Sequence, residues 1–207
     1  MINLVISRSQ QPGNRCAEGD TEQDHMGLIA DALFDILSQD NRFNLYNIPK
    51  LTGGDTDNLY KLVDLSNEFI NNNGGAGYHL SLHSDGGYKG SGVSGFYYSE
   101  TGKAFGKPIY DEMCSLTPWS DMSFTQRTGL YELKVTNAVA FLLEVSFHDQ
   151  SEQAKWIHAN IKLIAQTIAK GIYKYFNLEM PSTELDYKTL YEADESKLNK
   201  IREILKG

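Results

Sequence analysis

Short apolar runs alternate along this chain with longer stretches whose apolar residues recur every three or four positions. Asn3 to Ser7 reads as a strand apolar enough to be central, followed by a polar loop from Arg8 to Asp20 with Pro12, Gly13 and Gly19. Thr21 then suits a helix N-cap, and Glu22 and Asp24 suit the positive end of the helix dipole. Met26, Ile29, Ala30, Leu33 and Leu37 continue that helix at the 3.6-residue period. Phe43 to Ile48 predicts a second strand, and Asp57 to Ile70 a second amphipathic helix. After the loop Asn71 to Gly75, further strands are expected at Tyr78 to His83, Val93 to Ser99 and Val139 to Phe147. Lys103 to Leu116 predicts a helix, and Ser151 to Tyr175 one long helix with Trp156, Ile157, Ile161, Ile164, Ile168 and Ile172 on its apolar stripe. Strands alternating with helices predict an α/β fold, a mostly parallel central sheet with helices on both faces.

A composition break near Asn177 divides residues 1–177, long enough for one compact domain, from a linker and short charged helical tail at 178–207. Leu190, Leu198, Ile201 and Leu205 give that tail a near-heptad stripe, suited to self-association or to joining a further domain. The formal net charge of −8 argues against nucleic acid as a partner, because little here would neutralise phosphates. It argues equally against simple electrostatic adhesion to an anionic surface. Cys16 and Cys114 lie far apart in no metal-binding or redox spacing, so a disulfide framework is not expected. No apolar run reaches membrane-spanning length, so no insertion is expected. Met1 to Ile6 lacks the basic flank of a signal peptide. The expectation is a product made in the cytoplasm without a signal peptide, which would need release to act beyond the membrane.

The chemistry concentrates at strand ends. The run Tyr78 to His83 delivers an imidazole to its carboxyl tip, just before Gly86 and Gly87, and ligands gather at the carboxyl ends of strands in α/β sheets. The pattern recurs where Val139 to Leu143 leads into Glu144 and then His148. Glu22, on the first helical turn after the first strand, falls above the same sheet edge as His83. A carboxylate with imidazoles is a common catalytic zinc set, and a second carboxylate, here Glu144, is then needed to move protons. Each residue also has a plainer reading: Glu22 as a dipole partner, His79 as a satisfied core histidine, His158 as surface. His25, one turn beyond Glu22, gives an E-x-x-H pair that can bind metal. Glu144 is hardest to dismiss, because burying a carboxylate after five apolar residues is costly without a purpose.

Taken in order, these segments resemble the zinc-dependent N-acetylmuramoyl-L-alanine amidases of autolysins and phage endolysins, from about Ile2 to Phe176. Glu22-Gln23-Asp24, Ser81-Leu82-His83-Ser84-Asp85, Gly92 to Tyr98 and Leu142-Leu143-Glu144-Val145-Ser146-Phe147 carry the resemblance. It implies hydrolysis of the amide between N-acetylmuramic acid and L-alanine in peptidoglycan, with one divalent metal, Glu22 and His83 as ligands and Glu144 as the catalytic acid–base. Arg127, with Thr128, is a candidate for holding the substrate. One departure stands out: the family's first ligand is a histidine in a Gly-His-Gly turn after the first strand, and here Gln10 stands at that place. Three explanations compete. His148 supplies the missing nitrogen, which is the favoured one; Gln10, Gln11 or His25 completes a weaker site; or the metal is lost. A metal-dependent stem-peptide peptidase and a non-catalytic wall-binding relic remain the alternatives to a phage or autolytic lysin.

Overall fold

The structure is a computed structural model and describes residues 1–87, 90–120 and 123–181. In chain order its elements are β1 (Ile2–Arg8), α1 (Glu22–Leu37), β2 (Phe43–Asn47), α2 (Asp55–Asn72), β3 (Tyr78–Asp85) and β4 (Ser94–Tyr97). They continue with α3 (Glu100–Leu116), β5 (Ser123–Gln126), α4 (Tyr131–Val135), β6 (Val139–Phe147), α5 (Ser151–Ala159) and α6 (Ile161–Tyr175). The six strands form one sheet in the order β2-β1-β3-β6-β4-β5. Every neighbouring pair is parallel except β6 and β4, which run antiparallel. The α/β architecture with a mostly parallel sheet is therefore the one the sequence pattern predicts.

Side-chain alternation along the strands assigns the two faces. Leu4 and Ile6 of β1, Leu80 and Leu82 of β3, and Phe141, Leu143 and Val145 of β6 enter one large core with α1, α3 and α6. Val5 of β1 faces the other way, against Leu62, Val63 and Ile70 of α2, and Ala140 and Leu142 of β6 pack on Leu133 of α4. Both faces are thus covered, as a largely parallel sheet requires. Close approach of α3 to β6 depends on Gly106, where an added Cβ would come within 2.0 Å of the Phe141 ring.

Three features depart from the sequence reading. The expected helix from Ser151 to Tyr175 is two helices, broken at Asn160, whose backbone (φ −119°, ψ 18°) leaves the helical region. Its side chain donates to the Trp156 carbonyl and its own carbonyl accepts from Ile164, so one residue ends α5 and starts α6. Strand β5 and the one-turn helix α4 are additional elements. The compact part also extends past residue 177: Leu178 and Met180 pack on the large core, and the Glu179 carbonyl accepts from Arg42 at 2.7 Å. The stripe Leu190 to Leu205 lies outside the described residues.

Candidate metal centre and active site

His83 and Glu144 face each other directly across the β3–β6 ladder as register partners. Glu22 joins them from the first turn of α1, whose N-cap Thr21 accepts from the Asp24 amide through its hydroxyl. One ligand atom from each of Glu22, His83 and Glu144 can be chosen so that all lie within 4.8 Å of one another. The expected trio is therefore one cluster at the carboxyl edge of the sheet. Just beyond it the ladder shifts register: His83 pairs with Glu144 but Asp85 pairs with Phe147, so β6 carries one extra residue. Such bulges recur beside active sites, where they re-aim a side chain.

Glu22 is only 1% exposed and held at both oxygens. Its Oε1 accepts from the Ser84 amide at 3.1 Å and lies 2.9 Å from His83 Nδ1, while Oε2 accepts from the Asn14 amide group at 2.7 Å. Burial pushes its carboxyl upward, but the His83 charge and these donors outweigh that and hold it below the usual range. Burial likewise pulls the His83 imidazole down, and the surrounding Glu22, Glu132 and Glu144 raise it well above its ordinary value. Glu144 behaves oppositely. Burial first, then the Glu22 and Asp85 charges, push its carboxyl up to about 8 against the pull of His83, and its Oε2 is buried without a hydrogen-bond partner.

A residue the sequence pattern did not single out completes the surroundings. Glu132 of α4 is buried, with Oε1 2.7 Å from His79 Nε2 and Oε2 3.8 Å from His83 Nε2. His79 in turn meets Ser66 Oγ at 2.9 Å through Nδ1. Glu132 therefore sits on the far side of His83 from Glu22, and the two histidines hold its carboxyl far below the ordinary value despite burial. Carboxylates placed behind histidines in this way fix the ring's orientation and tautomer when the other nitrogen binds a metal.

His148 and Gln10 occupy different situations. The amide oxygen of Gln10 accepts from Gln23 Nε2 at 2.8 Å and from the Leu51 amide at 3.0 Å, and its nitrogen donates to the Pro49 carbonyl. Its amide is committed to tying the loop after β1 to α1 and to the segment after β2. His148 lines the same cavity as Glu22, His83 and Glu144 but lies outside the 4.8 Å group. Its Nδ1 is 2.6 Å from the Ser84 carbonyl, and Gly86 lies so close that an added Cβ would be 2.8 Å from Nε2. A bond from Nδ1–H to a carbonyl leaves the Nε2 lone pair free for a ligand role. His25 belongs elsewhere: its nitrogens meet Cys16 and Asp20.

The trio opens into a cavity of about 500 Å³, walled on its loop side by Gln11, Asn14 and Arg15. A second cavity of about 540 Å³ adjoins it, sharing Asp85, Leu130, Leu142 and Glu144 and adding Ser94, Phe96, Thr125 and Arg127. Glu144 thus stands where the two meet. Arg127 is exposed, with its guanidinium carbon 5.0 Å from the Phe96 ring centroid.

An acid–imidazole–acid cluster at the carboxyl edge of a mostly parallel sheet, opening into a groove, has the form of a metal-dependent hydrolase site. The family model for N-acetylmuramoyl-L-alanine amidases matches residues 8–174, and the chain belongs to that family, enzymes that hydrolyse the amide between N-acetylmuramic acid and L-alanine. Among solved structures, the catalytic domain of the amidase CwlV from Paenibacillus polymyxa superposes with a TM-score of 0.73 at 18% identity, covering 86% of this chain and 100% of that one. The amidase AmiC2 of Nostoc punctiforme gives 0.72 at 18% identity over 85% and 97%. The catalytic domain of an endolysin targeting Clostridium difficile gives 0.67 at 19% over 84% and 96%. No curated protein sequence matches significantly. Among the described residues no helix is long and apolar enough to cross a membrane.

Proposed function

We propose that Glu22, His83 and His148 hold one zinc ion and that Glu144 carries the proton in hydrolysis of the muramoyl–alanine amide of peptidoglycan. The donor set suits such an ion: the buried Glu22 carboxylate converges with the half-buried His83 and Glu144, and one Glu144 oxygen is buried without a hydrogen-bond partner. When bound, the ion supplies a Lewis acid that polarises the amide carbonyl and lowers the pKa of water to roughly 7. Glu132 faces one His83 nitrogen at 3.8 Å while the other is turned toward Glu22, and the Ser84 backbone ties Glu22 to His148 through its amide and its carbonyl. Glu144 accepts a proton from the attacking water and returns it to the leaving amine of L-alanine. Its raised affinity for a proton suits that exchange. The adjoining cavity takes the stem peptide, with Arg127 offering its positive charge to peptide carboxylates.

The observation that carries this reading is the buried, unpartnered oxygen of Glu144 beside Glu22 and His83. Purified walls treated with the protein should release free N-terminal L-alanine, with release stopped by chelation and restored by zinc. New reducing sugar ends without free amine would overturn the reading. His148→Ala should lose one equivalent of zinc relative to the unaltered protein, and full retention would remove His148 from the ligand set. Action on the wall as a phage or autolytic lysin follows from the same substrate. The family's wall substrate and the three-carboxylate surround of His83 support this reading over a wall-binding relic.

A further inference from the structure

A second group of metal-ligand side chains lies in the loop before α1. Cys16, Asp20 and His25 can each offer one ligand atom with all three within 4.8 Å of one another. A tight turn brings the first two together: the Cys16 amide donates to the Asp20 carbonyl at 2.9 Å, the Gly19 amide donates to the Cys16 carbonyl at 3.0 Å, and Gly19 takes a φ of +104°. Cys16 Sγ lies 3.4 Å from His25 Nδ1, and Asp20 Oδ2 lies 2.7 Å from His25 Nε2. His25 is completely buried, yet neither its Nε2 nor Asp20 Oδ1 has an aligned hydrogen-bond partner. A buried imidazole nitrogen left so is costly unless something else satisfies it. The exposed His158 of α5 lies outside that 4.8 Å group but brings a further imidazole alongside it, its ring centroid 5.5 Å from that of His25. Two imidazoles on one tetrahedral zinc at ordinary Zn–N lengths place their centroids roughly 5 Å apart.

We propose that Cys16, Asp20, His25 and His158 bind a second, structural zinc ion that fastens the loop before α1 to α1 and α5. A thiolate with imidazoles favours zinc over the hard cations magnesium and calcium. Without the ion, burial and the Asp20 and Glu22 charges push the Cys16 thiol up to about 12, and a bound cation reverses that balance. The loop so fastened carries Asn14, which holds Glu22, and Arg15, which walls the cavity of the first site. The Ala17 amide also donates to the His148 carbonyl at 2.8 Å. The second ion would thereby order one wall of the cleft without touching the reacting groups.

Cobalt(II) titration of the metal-free chain tests this directly. The proposed amidase site contains no sulfur, so a thiolate-to-cobalt charge-transfer band in the near ultraviolet reports the second site alone, whatever becomes of the first. The band should appear in the unaltered protein, persist in Cys114→Ser and vanish in Cys16→Ser. His158→Ala, a surface change safe for folding, should weaken cobalt binding at the sulfur site at least roughly tenfold. A titration of the unaltered protein that reaches saturation without the band overturns the proposal with no variant needed. Survival of the band in Cys16→Ser, or unchanged affinity in His158→Ala, also overturns it.

Discussion

On β3 and β6 the same two strands build opposite kinds of surface on their two faces. Toward α1, α3 and α6 they present Leu80, Leu82, Phe141, Leu143 and Val145, all fully buried and held by packing alone. Toward α2 and α4 they present His79, His83 and Glu144: His79 meets Ser66 and Glu132, and His83 lies between Glu132 and Glu22, which accepts from Asn14. The first face tolerates loss of atoms only at the cost of a cavity. The second carries a chain of polar groups running from Ser66 through His79, Glu132, His83 and Glu22 to Asn14, and Glu144 stands beside it with one buried oxygen that has no hydrogen-bond partner. Alternate residues of one strand thus divide stability from chemistry.

That division can be broken from either side. Glu144→Gln should lower turnover by roughly 100- to 10,000-fold, the usual worth of a positioned proton carrier, while leaving zinc content unchanged. It carries a stability signature of opposite sign. Folding raises the Glu144 carboxyl from its ordinary 4.5 to about 8, so the metal-free folded state binds more protons across that window and loses stability as pH rises through it. Denaturant melts of the metal-free proteins should therefore favour the Gln variant increasingly between pH 5 and 8. On the other face, Phe141→Ala should cost about 3–5 kcal/mol in urea unfolding with the residual fold's chemistry intact, because Gly106 leaves no side chain to fill the space.

Two smaller effects sharpen the contrast. Glu132→Gln should weaken zinc binding roughly 10- to 100-fold in a competition with a chelator, by loosening His83 and not by removing a ligand. Asp40→Asn probes a charged anchor on the side of the apolar face, where Asp40 Oδ2 accepts from Tyr173 at 2.9 Å and both oxygens accept from Arg42. It should cost about 1–2 kcal/mol at neutral pH. The Arg42 hydrogen bonds foremost, against a smaller upward push from burial, hold the Asp40 carboxyl at about 2, below its ordinary 3.8. Its contribution is complete above pH 4 and disappears as pH falls through 2, so the gap between variant and parent should close over that interval.

Residues whose role follows from position along one element were legible in the sequence. Period-two alternation placed His83 at a strand tip and Glu144 on a buried strand, and the cap-and-dipole pattern placed Glu22 at the start of α1. Glu132 was not legible, since a five-residue helix has no periodicity to read and its partner His79 lies 53 positions away. The break at Asn160 was hidden because Ile157, Ile161 and Ile164 keep the apolar spacing across it. The direction of β4 was equally hidden: alternation identifies a strand but carries no sense of which way it runs. The fate of Gln10 depended on contacts with Gln23, Leu51 and Pro49 that only the folded chain brings together.

The surplus residue in β6 between Glu144 and Phe147 has a consequence for any attempt to reshape the cleft. Because pairing slips by one there, the spacing between acid and imidazole is set by chain length and not by pleat parity. Deleting Val145 or Ser146 would restore an even ladder and rotate the segment leading to His148 half a turn relative to the sheet. The reach of that imidazole is therefore adjusted by counting residues, a handle that substitution alone cannot supply.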